Sequence, residues 1–215
     1  SVKLRFMRKD GYMRLDYTQV FLPAWTAAFW IYSLLTYGAV EEEHERSSRM
    51  WYGAQAKWAP FFGLAFLGWT LVILVCFFHY DSIRWAWQFS FLDRVPVKIF
   101  AIVLMCLAFL LNILFGVSIG SAIRAALASG EEPKLATTGV CRFVRHPGYL
   151  AFLAAGLGCF PIIPNLITMV LVVYTCIAVY GRTLEEERKL LQMYGEAYER
   201  YRQSTGRYLP GLLRT

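Results

Sequence analysis

The sequence predicts an all-α protein: a polytopic membrane helical bundle of about five transmembrane helices, the last two a hairpin, with a cytosolic C-terminal helical tail. Three observations carry this expectation. Of 215 residues, 57% are hydrophobic and only 17% charged, the balance of an integral membrane protein rather than a soluble domain. Uncharged runs of 24, 23 and 25 residues stand at Tyr17–Val40, Trp58–Tyr80 and Ile99–Ile123, each long enough to cross a hydrocarbon core of about 30 Å. A further 36 residues between Arg145 and Arg182 carry no charge. As one helix they would measure about 54 Å, and Pro161-Ile-Ile-Pro164-Asn165 interrupts them midway, where proline removes a backbone donor and clashes with the preceding turn.

Taken in order, residues 1–16 mix five basic and two acidic residues with Phe6, Tyr12 and Met13, which reads as a short interfacial segment with no need of a fixed structure. The first span carries Pro23 near its start, and Trp25, Trp30 and Tyr32 suit a headgroup-level aromatic belt. No secretory-signal pattern precedes it, since the run is too long and lacks a small-residue cleavage site. Glu41-Glu42-Glu43-His44-Glu45 follows and reads as a solvated loop or helix start, because contiguous carboxylates point in all directions; no metal site is expected. The second span ends at His79-Tyr80. Trp85, Trp87, Phe89 and Phe91 then alternate with polar residues, as in a segment lying among headgroups. The third span carries Gly116-Val-Ser-Ile-Gly120, a spacing that lets helices pack closely, and Asn112, which at membrane depth is expected to face protein. Residues 124–133 form a polar linker. Together residues 1–134 are the N-terminal helices and loops, and 135–215 the hairpin and tail of the same integrated domain.

Orientation follows from Lys and Arg. With five spans, residues 1–16, 81–98 and the hairpin tip share one side with eight basic residues, and 41–58, 124–148 and 182–215 share the other with fourteen. The positive-inside rule puts the second set in the cytoplasm. The net charge of +7 is accounted for by residues at span ends meeting headgroups, so no nucleic-acid partner is expected. The five cysteines show no metal spacing and read as inert thiols. After Leu184 the tail is amphipathic: Leu190, Leu191 and Tyr194 recur at helical spacing, Gly195 interrupts, and Tyr198 and Tyr201 share a face of a second short helix. The tail is long enough to fold back over the hairpin mouth.

The hairpin returns Arg145-His146 and Glu185-Glu186-Glu187 to one pole. A cationic group suits a carboxylate or phosphate, and the glutamates suit an amine or ribose hydroxyls. S-adenosyl-L-methionine has all of these features. NADPH is the rival, although its phosphates call for more basic residues than this stretch holds. No Gly-x-Gly-x-x-Gly occurs, so a soluble-type nucleotide fold is unsupported.

The string Leu135-x-x-x-Gly139 followed by Arg145-His146-Pro147-x-Tyr149, the hairpin, and Arg182-x-x-Glu185-Glu186-Glu187 resembles the isoprenylcysteine carboxyl methyltransferase and phospholipid methyltransferase superfamily. The tail Tyr194-Gly195-Glu-x-Tyr198-x-x-Tyr201-x-x-x-Thr205-Gly206-Arg207-x-x-Pro210 resembles it too. The resemblance implies an integral membrane methyltransferase that uses S-adenosyl-L-methionine and releases S-adenosyl-L-homocysteine. By position it implies that His146 and Tyr149 meet the methionine portion, with Arg145 in the same cofactor site. Backbone at Leu135, Gly139 and Val140 lines the adenosine, and Glu186 with Glu187 holds the amine or ribose end. Arg182, Glu186 and Arg207 are the catalytic candidates, the arginines orienting the acceptor. Cys141 departs from the family, which commonly has an aromatic residue there.

The expected acceptor is lipid-like or membrane-embedded, without an assigned O, N or S atom. A small thiol or phospholipid amine is an alternative acceptor, and a sterol-type NADPH reductase the alternative enzyme. The short five-span build fits a prokaryotic inner membrane with the site facing the cytoplasm. Neighbouring lipids are the other expected partners, and the sequence assigns no oligomeric state.

Overall fold

The computed structural model describes residues 4–8, 11–15, 17–47, 59–84, 88–129 and 135–210. A helix stands on every uncharged run: α1 (Tyr17–Ser47), α2 (Ala59–Arg84), α3 (Val95–Ser129), α4 (Pro147–Ile162) and α5 (Leu166–Tyr194), with α6 (Glu196–Ser204) in the tail. Among the described residues, Val95–Ala122 and Leu166–Tyr194 are long and apolar enough to cross a membrane, and Val20–Leu35, Gly63–Val75 and Pro147–Ile162 are shorter apolar helical stretches.

Two local expectations need correction. Residues 4–15 form an antiparallel hairpin, β1 (Leu4–Arg8) with β2 (Gly11–Leu15), pairing Leu4 with Leu15 and Arg8 with Gly11. Each short run carries an aromatic residue, Phe6 or Tyr12, which suits a strand even when basic residues interrupt it. The fold is therefore helical with one small ribbon. Glu41 to Glu45 lie within the last turns of α1 rather than in a loop, because glutamate is a good helix former and the intrahelical ladder continues through it.

The core lies where α1, α2, α3, α4 and α5 meet, around Leu22, Phe29, Trp69, Met105, Phe152 and Val179. Helices α3 and α4 approach closely because Gly158 has no side chain; a Cβ there would lie 2.5 Å from Met105 Cγ and 3.0 Å from the Ala101 carbonyl oxygen. Side-chain hydrogen bonds tie the helices together, as expected where lipid offers polar groups no partner. Asn112 Nδ2 donates to Ser33 Oγ at 2.7 Å, Trp69 Nε1 to Thr175 Oγ1 at 3.1 Å, and the Tyr32 hydroxyl to the Ile113 carbonyl at 3.1 Å. Asn112 thus faces protein, buried to 3% exposure.

The hairpin breaks later than the first proline. Helix α4 continues through Pro161 to Ile162, and the Ile163 N–H still donates to the Cys159 carbonyl at 3.2 Å. Pro161 forfeits one ladder bond, and the second proline is what stops the helix. Asn165 then caps α5: its Oδ1 accepts from Thr168 N at 2.9 Å, and its own N–H donates to Thr168 Oγ1 at 3.3 Å. Residues 88 and 89 clasp the tip through Phe89 N–H to the Pro164 carbonyl, 2.8 Å, and a bridge between Gln88 and Asn165. Asn165→Ala removes the cap and is expected to cost about 1–2 kcal/mol, read as a fall of several degrees in thermal unfolding in detergent. An unchanged midpoint would mean that the tip contacts alone hold the turn.

Candidate functional site

Helices α4 and α5 leave the tip side by side, so their far ends meet. The N-terminal residue of α4, Pro147, follows Arg145-His146, and the last turns of α5 carry Glu185, Glu186 and Glu187. At this pole the tail returns. Gly206 bridges to Val144 in parallel, the Arg145 N–H donates to the Gly206 carbonyl at 2.8 Å and the His146 N–H to the Arg207 carbonyl at 3.1 Å. The Arg-His segment and the end of the tail therefore form a short backbone ribbon across the hairpin mouth.

The hub of the pole is Glu187, with a side chain 8% exposed. Its Oε1 accepts from Arg145 Nε at 3.3 Å, from His146 Nε2–H at 3.3 Å and from Arg207 Nε at 3.1 Å, while Oε2 accepts from Arg207 Nη2 at 2.7 Å. Arg207 is thus held bidentately, the strongest geometry for such a pair, and the bond keeps its guanidinium more firmly protonated than usual. The Arg145 side chain is 1% exposed, and this carboxylate is its counterion. Arg145 Nη1 also donates to the carbonyls of Arg202, at 2.8 Å, and Thr205.

Glu186, the residue the sequence ranks first, stands differently. Its carboxylate is 35% exposed and 4.0 Å from His146 Nδ1, too far for a hydrogen bond. Arg182 lies about a turn earlier on α5 and pairs with Glu185 at 3.3 Å. Tyr149 stacks on His146, ring centroids 5.7 Å apart. Arg145, His146, Glu186, Glu187 and Arg207 are brought together.

Leu135, Gly139 and Val140 lie on the segment between α3 and α4. Leu135 packs with Leu190, Tyr198 and Tyr201. Gly139 has φ +61°, and a Cβ there would collide with Ser118 Oγ; the same hydroxyl accepts from the Val140 N–H at 3.3 Å. The Gly116–Gly120 stretch of α3 therefore seats this loop, which the small-residue spacing announced only as helix packing. Cys141 is buried, and burial pushes its thiol up to about 11. The Tyr201 hydroxyl donates to its carbonyl at 2.5 Å.

Sequence reasoning missed Thr183, Tyr208 and Ser118, and read Tyr198 only as part of the tail pattern. Tyr208 donates to Thr183 Oγ1 at 2.7 Å, fixing the strap to α5, and Arg207 sits 5.9 Å from the Tyr180 ring centroid. Tyr180, Thr183 and Glu187 follow one another at helical spacing, a signal that exists only once the tail is known to lie on that face. Two buried polar atoms, Arg145 Nη2 and the Tyr198 hydroxyl, have no hydrogen-bond partner among the described residues. Buried donors of this kind call for an acceptor.

Burial raises the phenols of Tyr198 and Tyr201. An unfolded tyrosine ionises near pH 10, while these two stay neutral beyond it. Their contribution to docking is complete below pH ~10 and is lost as pH rises above it. Limited proteolysis between pH 8 and 11 is expected to release the tail progressively above pH ~10. Tyr201→Phe, losing about 0.5–1.5 kcal/mol with its hydrogen bond, should bring release already at pH 8.

Residues 100–192, from α3 to near the end of α5, match the model of the isoprenylcysteine carboxyl methyltransferase (ICMT) family. The match supports the superfamily resemblance drawn from the Arg-His-Pro and Glu-Glu-Glu segments. No curated protein matches the chain.

Proposed function

From this membrane methyltransferase family we propose that the chain is an S-adenosyl-L-methionine-dependent enzyme that methylates a lipid-like or membrane-embedded acceptor, with its site beneath the 205–208 strap. The observation that carries the reading is the pairing of opposite charges at one end of the hairpin, with two buried donors to spare. Arg145 Nη2 and the Tyr198 hydroxyl suit an anionic group such as the cofactor carboxylate. The third-exposed carboxylate of Glu186 suits its ammonium or ribose hydroxyls. These residues fit the cofactor in sign and in hydrogen-bonding character.

When bound, S-adenosyl-L-methionine supplies an electrophilic methyl group on a sulfonium. The chain's own work is then positioning and exclusion of water, which in well-oriented cases is worth up to about 7–11 kcal/mol. Glu187 holds Arg145, His146 and Arg207 in one geometry. Tyr208 and Arg207 close the strap on α5, and the Gly139 loop, seated on Ser118, forms the adjoining wall. Tyr149 and His146 stack where α4 begins, next to the apolar core from which a membrane-dissolved acceptor can arrive. Arg182, paired with Glu185, orients the acceptor. The five-span arrangement with the strap on the cytoplasmic side follows from the basic-residue bias, and it lets cofactor and acceptor enter from different phases.

The test is incubation of purified protein with methyl-labelled cofactor and native membrane extract. A labelled lipid, absent with His146→Ala, is expected. Thermal stabilisation by S-adenosyl-L-homocysteine should accompany it; stabilisation by NADPH alone would instead favour a reductase.

A further inference from the structure

Two hydrogen-bond donors at the hairpin pole are sealed in with the tail in place. Arg145 Nη2 and the Tyr198 hydroxyl are buried and have no hydrogen-bond partner among the described residues. They come from opposite sides of one contact, Arg145 from the segment before α4 and Tyr198, 1% exposed, from α6. Tyr198 lies within electrostatic reach of Arg145, Glu187 and Glu186. The guanidinium of Arg145 also holds the tail down. Its Nη1 donates to the carbonyls of Arg202, at 2.8 Å, and Thr205, where the last turn of α6 leaves carbonyls without intrahelical partners. One side chain thus carries the α6 cap, the ion pair with Glu187 and an open donor.

Sign and access decide what the open donors are for. The guanidiniums of Arg145 and Arg207 share the buried carboxylate of Glu187, so this side of the pole carries more positive than negative charge. The partner such donors call for is an anion with acceptor oxygens. With the tail docked, neither donor atom meets solvent. A ligand for them therefore has to enter while α6 and the strap are lifted. Once inside, it satisfies a donor on each side of the contact and resists their separation. By linkage, whatever affinity the ligand gains from a docked tail, the tail gains in docking from the ligand.

We infer that the tail from Glu196 to Tyr208 is a lid that lifts to admit the cofactor and is latched by the cofactor carboxylate, through Arg145 Nη2 and the Tyr198 hydroxyl. The identity of the anion rests on the methyltransferase reading, and the lid on the burial of the two donors. Tyr198 is then a ligand residue, while its neighbour Tyr201, whose hydroxyl already donates to the Cys141 carbonyl, is a scaffold residue of the same helix.

The experiment is limited trypsinolysis of purified protein in detergent at neutral pH, beside thermal unfolding. Cleavage after the exposed Arg200 reports a lifted tail. Saturating S-adenosyl-L-homocysteine is expected to raise the unfolding midpoint and to slow this cleavage about tenfold or more. 5′-Methylthioadenosine, the same nucleoside and thioether without the amino-acid end, should leave the cleavage rate unchanged. Tyr198→Phe removes a hydroxyl without a partner, so its tail should be cut at the wild-type rate when no nucleoside is present. Its affinity for S-adenosyl-L-homocysteine should fall by up to about tenfold, the scale of one lost hydrogen bond. Tyr201→Phe should instead speed cleavage of the ligand-free protein. Equal protection by 5′-methylthioadenosine, or a ligand-free tail loosened as much by Tyr198→Phe as by Tyr201→Phe, would overturn the inference. A midpoint raised by S-adenosyl-L-homocysteine with no slowing of cleavage would overturn it and leave the methyltransferase reading standing; no rise at all would remove both.

Discussion

Glu187→Ala is expected to release the strap and abolish methyl transfer together. The substitution takes four hydrogen bonds from three side chains at once. Arg207 loses its bidentate partner and keeps only the Tyr180 ring nearby. Arg145, with its side chain 1% exposed, is left as a buried charge without a counterion, a loss of about 3–5 kcal/mol. In detergent this should appear as a large fall in unfolding temperature and as rapid proteolysis of residues beyond Glu196. Glu186→Ala is the contrasting variant. Its carboxylate is a third exposed and makes no hydrogen bond to His146, so stability should change by less than about 0.5 kcal/mol while stabilisation by S-adenosyl-L-homocysteine is lost. If both variants lowered stability equally, the division between a scaffold glutamate and a ligand glutamate would be wrong.

Gly139→Ala is the second large effect. The backbone there has φ +61°, a conformation costing an L side chain about 1–2 kcal/mol. The new methyl also collides with Ser118 Oγ, and forcing extra bulk into a packed contact adds about 1–3 kcal/mol. The two contributions can be separated. Ser118→Ala added to Gly139→Ala relieves the collision with the hydroxyl but not the dihedral strain, so it should recover only part of the lost thermal stability. Full recovery would show that φ is relaxed at little cost; no recovery would show that the loop had already left α3. Cofactor binding should fall with stability, because Val140 and Cys141 hang from the same loop and Cys141 in turn receives the Tyr201 hydroxyl.

The hairpin was legible because its signals are local. Uncharged length, two prolines and a turn-former are enough to place a break, and the charges at both ends then meet by geometry. The choice among three consecutive glutamates was not legible. Successive helical residues project about 100° apart, and nothing in Glu185-Glu186-Glu187 itself says which one the tail will cover. That is decided by Tyr208 on Thr183 and Arg207 on Glu187, contacts from a segment some 20 residues away. The same holds for Ser118: a hydroxyl between two small residues reads as a packing stripe until a glycine loop is laid on it. The break at Pro164 rather than Pro161 reflects how little one missing donor costs a helix near its end.

The ribbon between Val144 and Gly206 also sets an order of assembly. During synthesis the hairpin and its charges emerge well before Gly206 and Arg207, so the main-chain donors of Arg145 and His146 stay unpaired until almost the last described residues have been made. The pole is completed by closure of a loop of about 60 residues, a contact whose chain-entropy cost rises only slowly with loop length. A nascent chain halted before Gly206 can therefore hold a finished α4–α5 hairpin and still leave the Glu187 pole incomplete.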